Sequence, residues 1–251
     1  MVKNKPYNTT ELDAITELET GLVHRDRYAH LFRWTHALRL FKAGQNVLDL
    51  GCGHANLMLV LKRNRHFPAR YLGVDVRPGV IKGLQEKYSS ESYKKLAEFR
   101  TADLCEPQDF GQDWHLVTCF EVLEHVGKAR VPAVLDNIAR AMGPGTVAMV
   151  STPCYDPSFG AAKNHVVEGI ESELTREELK ALLEQRFEIT AKFGTMANQR
   201  DYKELLSPAQ KEVWEQLKTY YDGEVLSAVF APLFPDHARN CLWILKKKVQ
   251  E

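Results

Sequence analysis

The sequence predicts a doubly wound α/β fold on a mostly parallel seven-stranded sheet, with an N-terminal helix ahead of it and a helical insertion before the last strand. Three observations carry this expectation. From residue 44 onward, short β-like runs alternate with helical runs, the rhythm of βαβ units. Several of the β-like runs are apolar on nearly every residue, which suits strands covered on both faces rather than one. Glycines and carboxylates fall at the ends of successive runs, the edge at which open α/β sheets bind ligands.

Taken in order, HRDRYAHLFRWTHALRLF (24–41) reads as an amphipathic helix. Tyr28, Leu31, Phe32 and Leu38 follow helical spacing, and Asp26, His30 and Arg33 lie on the opposite face. Two readings stand: a helix covering the sheet edge with its polar face in water, or a lid that gives Arg or His to a ligand. The strand candidates are NVLDL (46–50), RYLGVDV (70–76), AEFRTADL (97–104), WHLVTCF (114–120) and GTVAMVST (145–152). Between them, 57–65, 77–88 and 128–142 read as helices. Residues 153–171, with two prolines and two glycines, read as a long loop of the kind that is often functional. Thr175 and Glu178 form a T-x-x-E capping box that opens a helix through about Gln185. FEITAKFGT (187–195) and CLWILKKK (241–248) complete the strands. Ser207 and Pro208 start a helix over 207–221. The expected organisation is an N-terminal helical segment at 1–43 and one domain at 44–251, with 196–240 as an insertion or lid.

Composition narrows the function. The chain has 251 residues, and its 33 basic and 33 acidic side chains cancel. Binding of nucleic acid through sheer positive charge is therefore disfavoured, though a local basic patch is not. Five scattered cysteines without a C-x-x-C spacing make neither a disulfide framework nor a zinc knuckle. No stretch approaches the ~20 apolar residues of a membrane helix, and the N-terminus has no apolar signal core. A cytoplasmic protein in a reducing compartment, with no membrane partner, is the expectation.

The strongest motif is NVLDLGCGHAN (46–56): a strand with Asp49 near its end, then Gly51 and Gly53, then a helix. Glycines here let the backbone turn sharply and approach a ligand. Asp75 ends the next strand, where a carboxylate accepts hydrogen bonds from both ribose hydroxyls. Asp103 and Leu104 end the third run and suit an adenine amino group. Phe120 and Glu121 end the fourth.

Together VLDLGCG (47–53), GVDV (73–76), ADL (102–104) and TCFEVLEHV (118–126) resemble the class I S-adenosylmethionine-dependent methyltransferases over about residues 44–152. The resemblance implies the Rossmann-like fold of that superfamily and S-adenosylmethionine as cofactor. It implies that Asp49, Gly51 and Gly53 cradle the methionine part, Asp75 the ribose, and Asp103 with Leu104 the adenine, with Phe120 at the same pocket. Ala55 stands where a third glycine often sits. A nicotinamide dehydrogenase would want a glycine at Asn56.

Glu121, Glu124 and His125 are spaced i, i+3, i+4, which on a helix opening after the fourth strand places them on one face. Two carboxylates and an imidazole form a mixed O/N site for a divalent ion, with His165 in the long loop as a fourth ligand. The pattern is similar to the E-x-x-E-H…H site of small-RNA 3′-terminal 2′-O-methyltransferases, and the ubiquinone-pathway O-methyltransferases look similar over this segment. The resemblance implies Mg or Mn at Glu121, Glu124, His125 and His165. The other reading of E-x-L-E-H-V is a helix cap or a pocket wall, with His125 or His165 as general base. The expected activity is methyl transfer to an oxygen nucleophile. The acceptor, a small molecule, a nucleotide or RNA, is left undecided. Two alternatives remain: a cofactor-binding scaffold without methyl transfer, and a nucleic-acid modifier that clamps its substrate with 24–41 and 196–240.

Overall fold

The structure, a computed structural model, describes residues 25–156, 166–167, 170–197, 202–221 and 223–248. Its centre is a seven-stranded sheet of β1 (Asn46–Leu50), β2 (Arg70–Asp75), β3 (Ala97–Thr101), β4 (Leu116–Phe120), β5 (Val147–Pro153), β8 (Phe187–Ala197) and β9 (Ala238–Lys247). The spatial order is β3-β2-β1-β4-β5-β9-β8. The first five strands are mutually parallel, and the order reverses between β1 and β4, opening a crevice at their carboxyl ends. β9 runs antiparallel to both of its neighbours, β5 and β8. Its start, Ala238–Asn240, therefore lies at the edge where the parallel strands finish. A two-stranded ribbon, β6 (Val166–Val167) with β7 (Ile170–Glu171), sits apart from the sheet.

The sheet is covered on both sides, which is why its strands are apolar at successive positions. Leu48, Leu50, Leu72, Val74, Val117 and Val150 face one layer of helices. That layer comprises α5 (Val131–Ala141) and α6 (Arg176–Glu184). Val47, Tyr71, Phe99, Leu116, Met149 and Leu242 face the other. There α1 (Arg25–Leu40), α2 (Asn56–Arg63) and α3 (Pro78–Lys87) supply Trp34, Ala37, Leu57, Met58, Leu61, Ile81 and Leu84. A short α4 (Glu91–Lys94) precedes β3. The Thr175 capping box is present: its side chain accepts from Glu178 N at 3.1 Å, and Glu178 accepts from Thr175 N at 2.7 Å. Ser207 caps a second helix in the same way.

Between β8 and β9 lie α7 (Tyr202–Leu205), α8 (Pro208–Leu217) and α9 (Gly223–Phe230). Leu206, Trp214, Leu226, Phe230 and Ala231 form a small core of their own. α9 and β8 both pack against α1.

Two local expectations need correction. In α1 the buried face is Ala29, Arg33, Trp34 and Ala37, while Leu31 is exposed. Hydropathy misplaces the stripe because the buried face carries alanines and an arginine. Arg33, read as part of a polar face, is among the largest fully buried side chains of the molecule. The second correction concerns the segment after β4, which does not continue as an α-helix. Glu121 takes a left-handed conformation (φ 54°), and only a 3₁₀ turn, Leu123–His125, follows. Glu121, Glu124 and His125 thus do not share a helical face.

Candidate active site

A cavity of ≈ 890 Å³ opens along the carboxyl edge of the parallel strands. Asp49, Gly51, Gly53, Asp75, Asp103, Leu104, Phe120, Glu121, Glu124 and His125 all line it. His165 lies outside the described residues, as does the segment 198–201.

The half of the cavity over β1, β2 and β3 is built from neighbouring turns. Gly51 (φ 72°) and Gly53 (φ 52°) carry the chain off β1 in the left-handed region. A Cβ on Gly51 would stand 2.2 Å from Val122 Cγ2, so glycine is obligatory there. Ala55 adopts the same left-handed region (φ 56°) just before α2, taking a backbone shape that glycine adopts more cheaply. Gly53 N–H donates to Asp75 Oδ2 at 3.0 Å. Arg77 Nε donates to Asp75 Oδ1 at 2.9 Å and Arg77 Nη2 to Oδ2 at 3.1 Å. Burial pushes the Asp75 carboxyl up, but these donors and the Arg77 charge outweigh it and hold it below the usual range. The Arg77 side chain is half exposed, so it can yield these positions. Asp103 caps its own turn through Cys105 N at 2.8 Å and stands exposed beyond β3, with Leu104 buried beside it.

Asp49 sits on the sheet itself. Tyr71 O–H donates to its Oδ2 at 2.5 Å and Thr118 Oγ1 to its Oδ1 at 2.7 Å. Burial pushes its carboxyl up to about 6; the two hydroxyl donors oppose this and the nearby Asp75 adds to it.

The other half is assembled from distant segments. Glu121 is gripped by three elements: Ser151 Oγ of β5 donates to its Oε1 at 2.9 Å, Asn240 Nδ2 of β9 to its Oε2 at 2.7 Å, and Arg33 Nη1 of α1 pairs with Oε1 at 3.2 Å. Glu124 is buried, accepts from Thr152 Oγ1 at 2.9 Å, and has its carboxyl pushed well above the usual range by burial and by Glu121. His125 stands at the rim, its side chain 62% exposed, with Nε2 3.8 Å from Glu124 Oε1. Behind them Arg239 Nη2 donates to the buried Glu173 Oε1 at 2.7 Å, and Arg239 Nη1 to Cys154 O at 2.6 Å. Cys154 itself is in the core and does not line the cavity.

Sequence reasoning missed Arg77, Glu173, Arg239 and Asn240. The one available signal was Ala-Arg-Asn directly ahead of an apolar run at 241–245. If that strand is antiparallel, polar residues at its start arrive at the ligand edge.

Among the described residues, no group of three or more His, Cys, Asp and Glu is arranged to hold a metal ion. No helix among them is long and apolar enough to cross a membrane.

A methyltransferase-domain family model matches residues 23–216. No curated protein sequence matches the chain. Solved structures share the architecture at low identity. The protein PH0226 of Pyrococcus horikoshii OT3 is 12% identical, with a TM-score of 0.58 over 96% of this chain and 94% of that one. The geranyl diphosphate C-methyltransferase of Streptomyces coelicolor A3(2), solved with Mg²⁺, geranyl diphosphate and S-adenosyl-L-homocysteine, is 15% identical; its TM-score is 0.57 over 89% and 82% of the chains. The methyltransferase domain of the bacterial protein CtHen1 is 16% identical, with a TM-score of 0.54 over 88% and 97%.

Proposed function

As a member of the methyltransferase-domain family this chain is an S-adenosylmethionine-dependent methyltransferase, and we propose that it methylates an oxygen nucleophile with His125 as general base. The observation that carries the proposal is one cavity with two chemically different halves. One is a glycine-turn cradle beside an ionised carboxylate; the other is a chamber with an exposed imidazole at its rim.

The cradle fits the cofactor. Gly51 and Gly53 bring bare backbone to the methionine part. Asp75 is kept ionised and accepts the ribose hydroxyls as Arg77 moves aside. Asp103, Leu104 and Phe120 border the adenine, and Asp49 supports the cradle from the sheet. S-adenosylmethionine supplies an electrophilic methyl on a sulfonium. The chain's own task is to hold the acceptor in line with that methyl, exclude water and remove one proton. His125 takes the proton from the acceptor hydroxyl as the new C–O bond forms, and its exposed side hands it to solvent. The buried Glu124 carboxyl stands behind the ring, 3.8 Å from its Nε2. The N-terminal helix borders the acceptor chamber through Ala29, His30, Arg33 and Trp34, and α9 of the β8–β9 insertion packs against that helix.

Mg or Mn does not fit this donor set. The Glu121 carboxylate already meets a guanidinium, a hydroxyl and an amide, and Glu124 accepts from Thr152. A divalent ion would have to displace the Arg33 guanidinium from Glu121. The acceptor class stands between a small hydroxylated molecule, a nucleotide and an RNA end; zero net charge favours the smaller acceptors.

The test begins with calorimetry of S-adenosylhomocysteine, with and without Mn²⁺. We expect binding that Mn²⁺ does not change. Methyl transfer from labelled S-adenosylmethionine to diols, phenols, nucleotides and RNA ends then identifies the acceptor. His125→Ala should lower kcat by about 10²–10⁴-fold and leave S-adenosylhomocysteine affinity unchanged. Retained kcat in that variant would remove His125 from the chemistry.

A further inference from the structure

Arg33 is the charged group least accounted for by the fold. It projects from α1, is 1% exposed, and lines the cavity. Its Nη2 meets His30 Nδ1 at 2.7 Å. Its Nη1 lies 3.2 Å from Glu121 Oε1 but off the line of a hydrogen bond, and its Nε has no hydrogen-bond partner among the described residues. A guanidinium carries five N–H donors and keeps its charge at any working pH. Burying it with donors bare is costly unless something in the cavity accepts from them. Glu121 is already shared with Ser151 and Asn240, and it is the same carboxylate that pairs with Nη1. His30 accepts through Nδ1, which assigns its proton to Nε2 and leaves it no acceptor to offer Nε.

We infer that Arg33 is an oxyanion-recognition residue: its guanidinium, covered at Nε and Nη1 in this structure, turns to give those N–H groups to a carboxylate or phosphoryl oxygen of a molecule bound in the cavity. Two molecules can bring that oxygen. One is the cofactor, through the carboxylate of its methionine part; the other is the acceptor, through an anionic group near the hydroxyl that is methylated. Both sources rest on the methyl-transfer reading; the oxyanion site itself rests on Arg33 alone.

Calorimetry on wild type, Arg33→Met and Arg33→Lys separates the sources. The first probes are S-adenosylhomocysteine and 5′-methylthioadenosine, which keeps the thioether and adenosine but lacks the amino-acid end. If the cofactor's carboxylate docks on Arg33, wild type prefers S-adenosylhomocysteine. Arg33→Met then loses at least tenfold of that preference while its affinity for 5′-methylthioadenosine stays the same. If the acceptor supplies the oxyanion, S-adenosylhomocysteine binds wild type and variant alike, and inorganic phosphate titrated into that complex binds wild type and not Arg33→Met. Arg33→Lys keeps a charge opposite Glu121 and should fall between the two; its readings decide the matter if Arg33→Met does not fold, as judged by circular dichroism. A folded Arg33→Met that keeps the full preference, with phosphate binding unchanged or absent in both proteins, overturns the inference. Wild type that binds neither adenosyl compound would instead sink the methyl-transfer reading, and the phosphate titration alone would then decide Arg33.

Discussion

The two halves of the cavity are built by different means. In the cradle half, the turn partners are close in sequence: Gly53 and Asp75 are 22 positions apart, and Asp75 and Arg77 are two apart, while Asp49 on the sheet reaches Thr118 across 69. In the acceptor half, Glu121 bonds Asn240 across 119 positions, and Arg239 bonds Cys154 across 85. The cradle depends on backbone shape at single glycines, whereas the acceptor half depends on buried charges paired across distant segments. Damage to the first should therefore be steric and local. Damage to the second should leave a charge stranded, and it should spread into stability.

The largest effect is expected at Gly51. Gly51→Ala forces a side chain into a left-handed φ and into Val122 Cγ2, and should cost about 3 kcal/mol or more of stability. It should also abolish S-adenosylhomocysteine binding. Adding Val122→Ala should recover part of the melting temperature and not the φ strain. Full recovery would show that the contact, not the backbone, sets the requirement.

Next comes Arg239→Met, which strands the buried Glu173. Removal of one partner of a buried pair costs about 3–5 kcal/mol, and the partial exposure of Arg239 places this one at the low end. Denaturant unfolding measures it. Arg239→Met combined with Glu173→Leu should be more stable than Arg239→Met alone; if it is not, the pair is not a unit.

Asp49 gives a smaller, pH-dependent effect. Its folded carboxyl is raised to about 6, against 3.8 for the ordinary group. The folded state therefore binds a proton more tightly than the unfolded one. The stability this provides is full below about 3.8 and is lost as pH rises through about 6. Asp49→Asn should thus be more stable than wild type at pH 8 by roughly 1–3 kcal/mol, with no advantage at pH 3.5. Melting curves at both pH values test the sign. An equal gain at both would remove the ionised carboxylate as its cause.

The smallest effect belongs to neither half. Thr175→Ala removes a helix cap and should cost about 1 kcal/mol, with no change in S-adenosylhomocysteine affinity. It serves as the control that separates stability from site geometry.

The same contrast explains how much was legible in the sequence. Strand–glycine–helix and strand–carboxylate signals are local, so the parallel strands and the cradle residues could be read directly. All of them line the cavity. The capping box at Thr175 and the N-cap at Ser207 were legible for the same reason. The acceptor half was legible in its residue types and not in its geometry. The i, i+3, i+4 spacing of Glu121, Glu124 and His125 presupposes an α-helix, and the left-handed Glu121 removes it. Arg33 was hidden because burial of an arginine is decided by Glu121 and the cavity, not by helical hydropathy. Asn240 and Arg239 required knowing that β9 runs against its neighbours.

That reversal of β9 also sets an order of events in time. A ribosome delivers the chain from its N-terminus, so Gly53 and Asp75 emerge and can meet long before Asn240 and Arg239 exist. β9 must then enter between β5 and β8, which are not hydrogen-bonded to each other in the finished sheet. The glycine-turn half of the cavity is thus all delivered by Val122, about midway through synthesis, and the Arg239–Asn240 wall is added near its end.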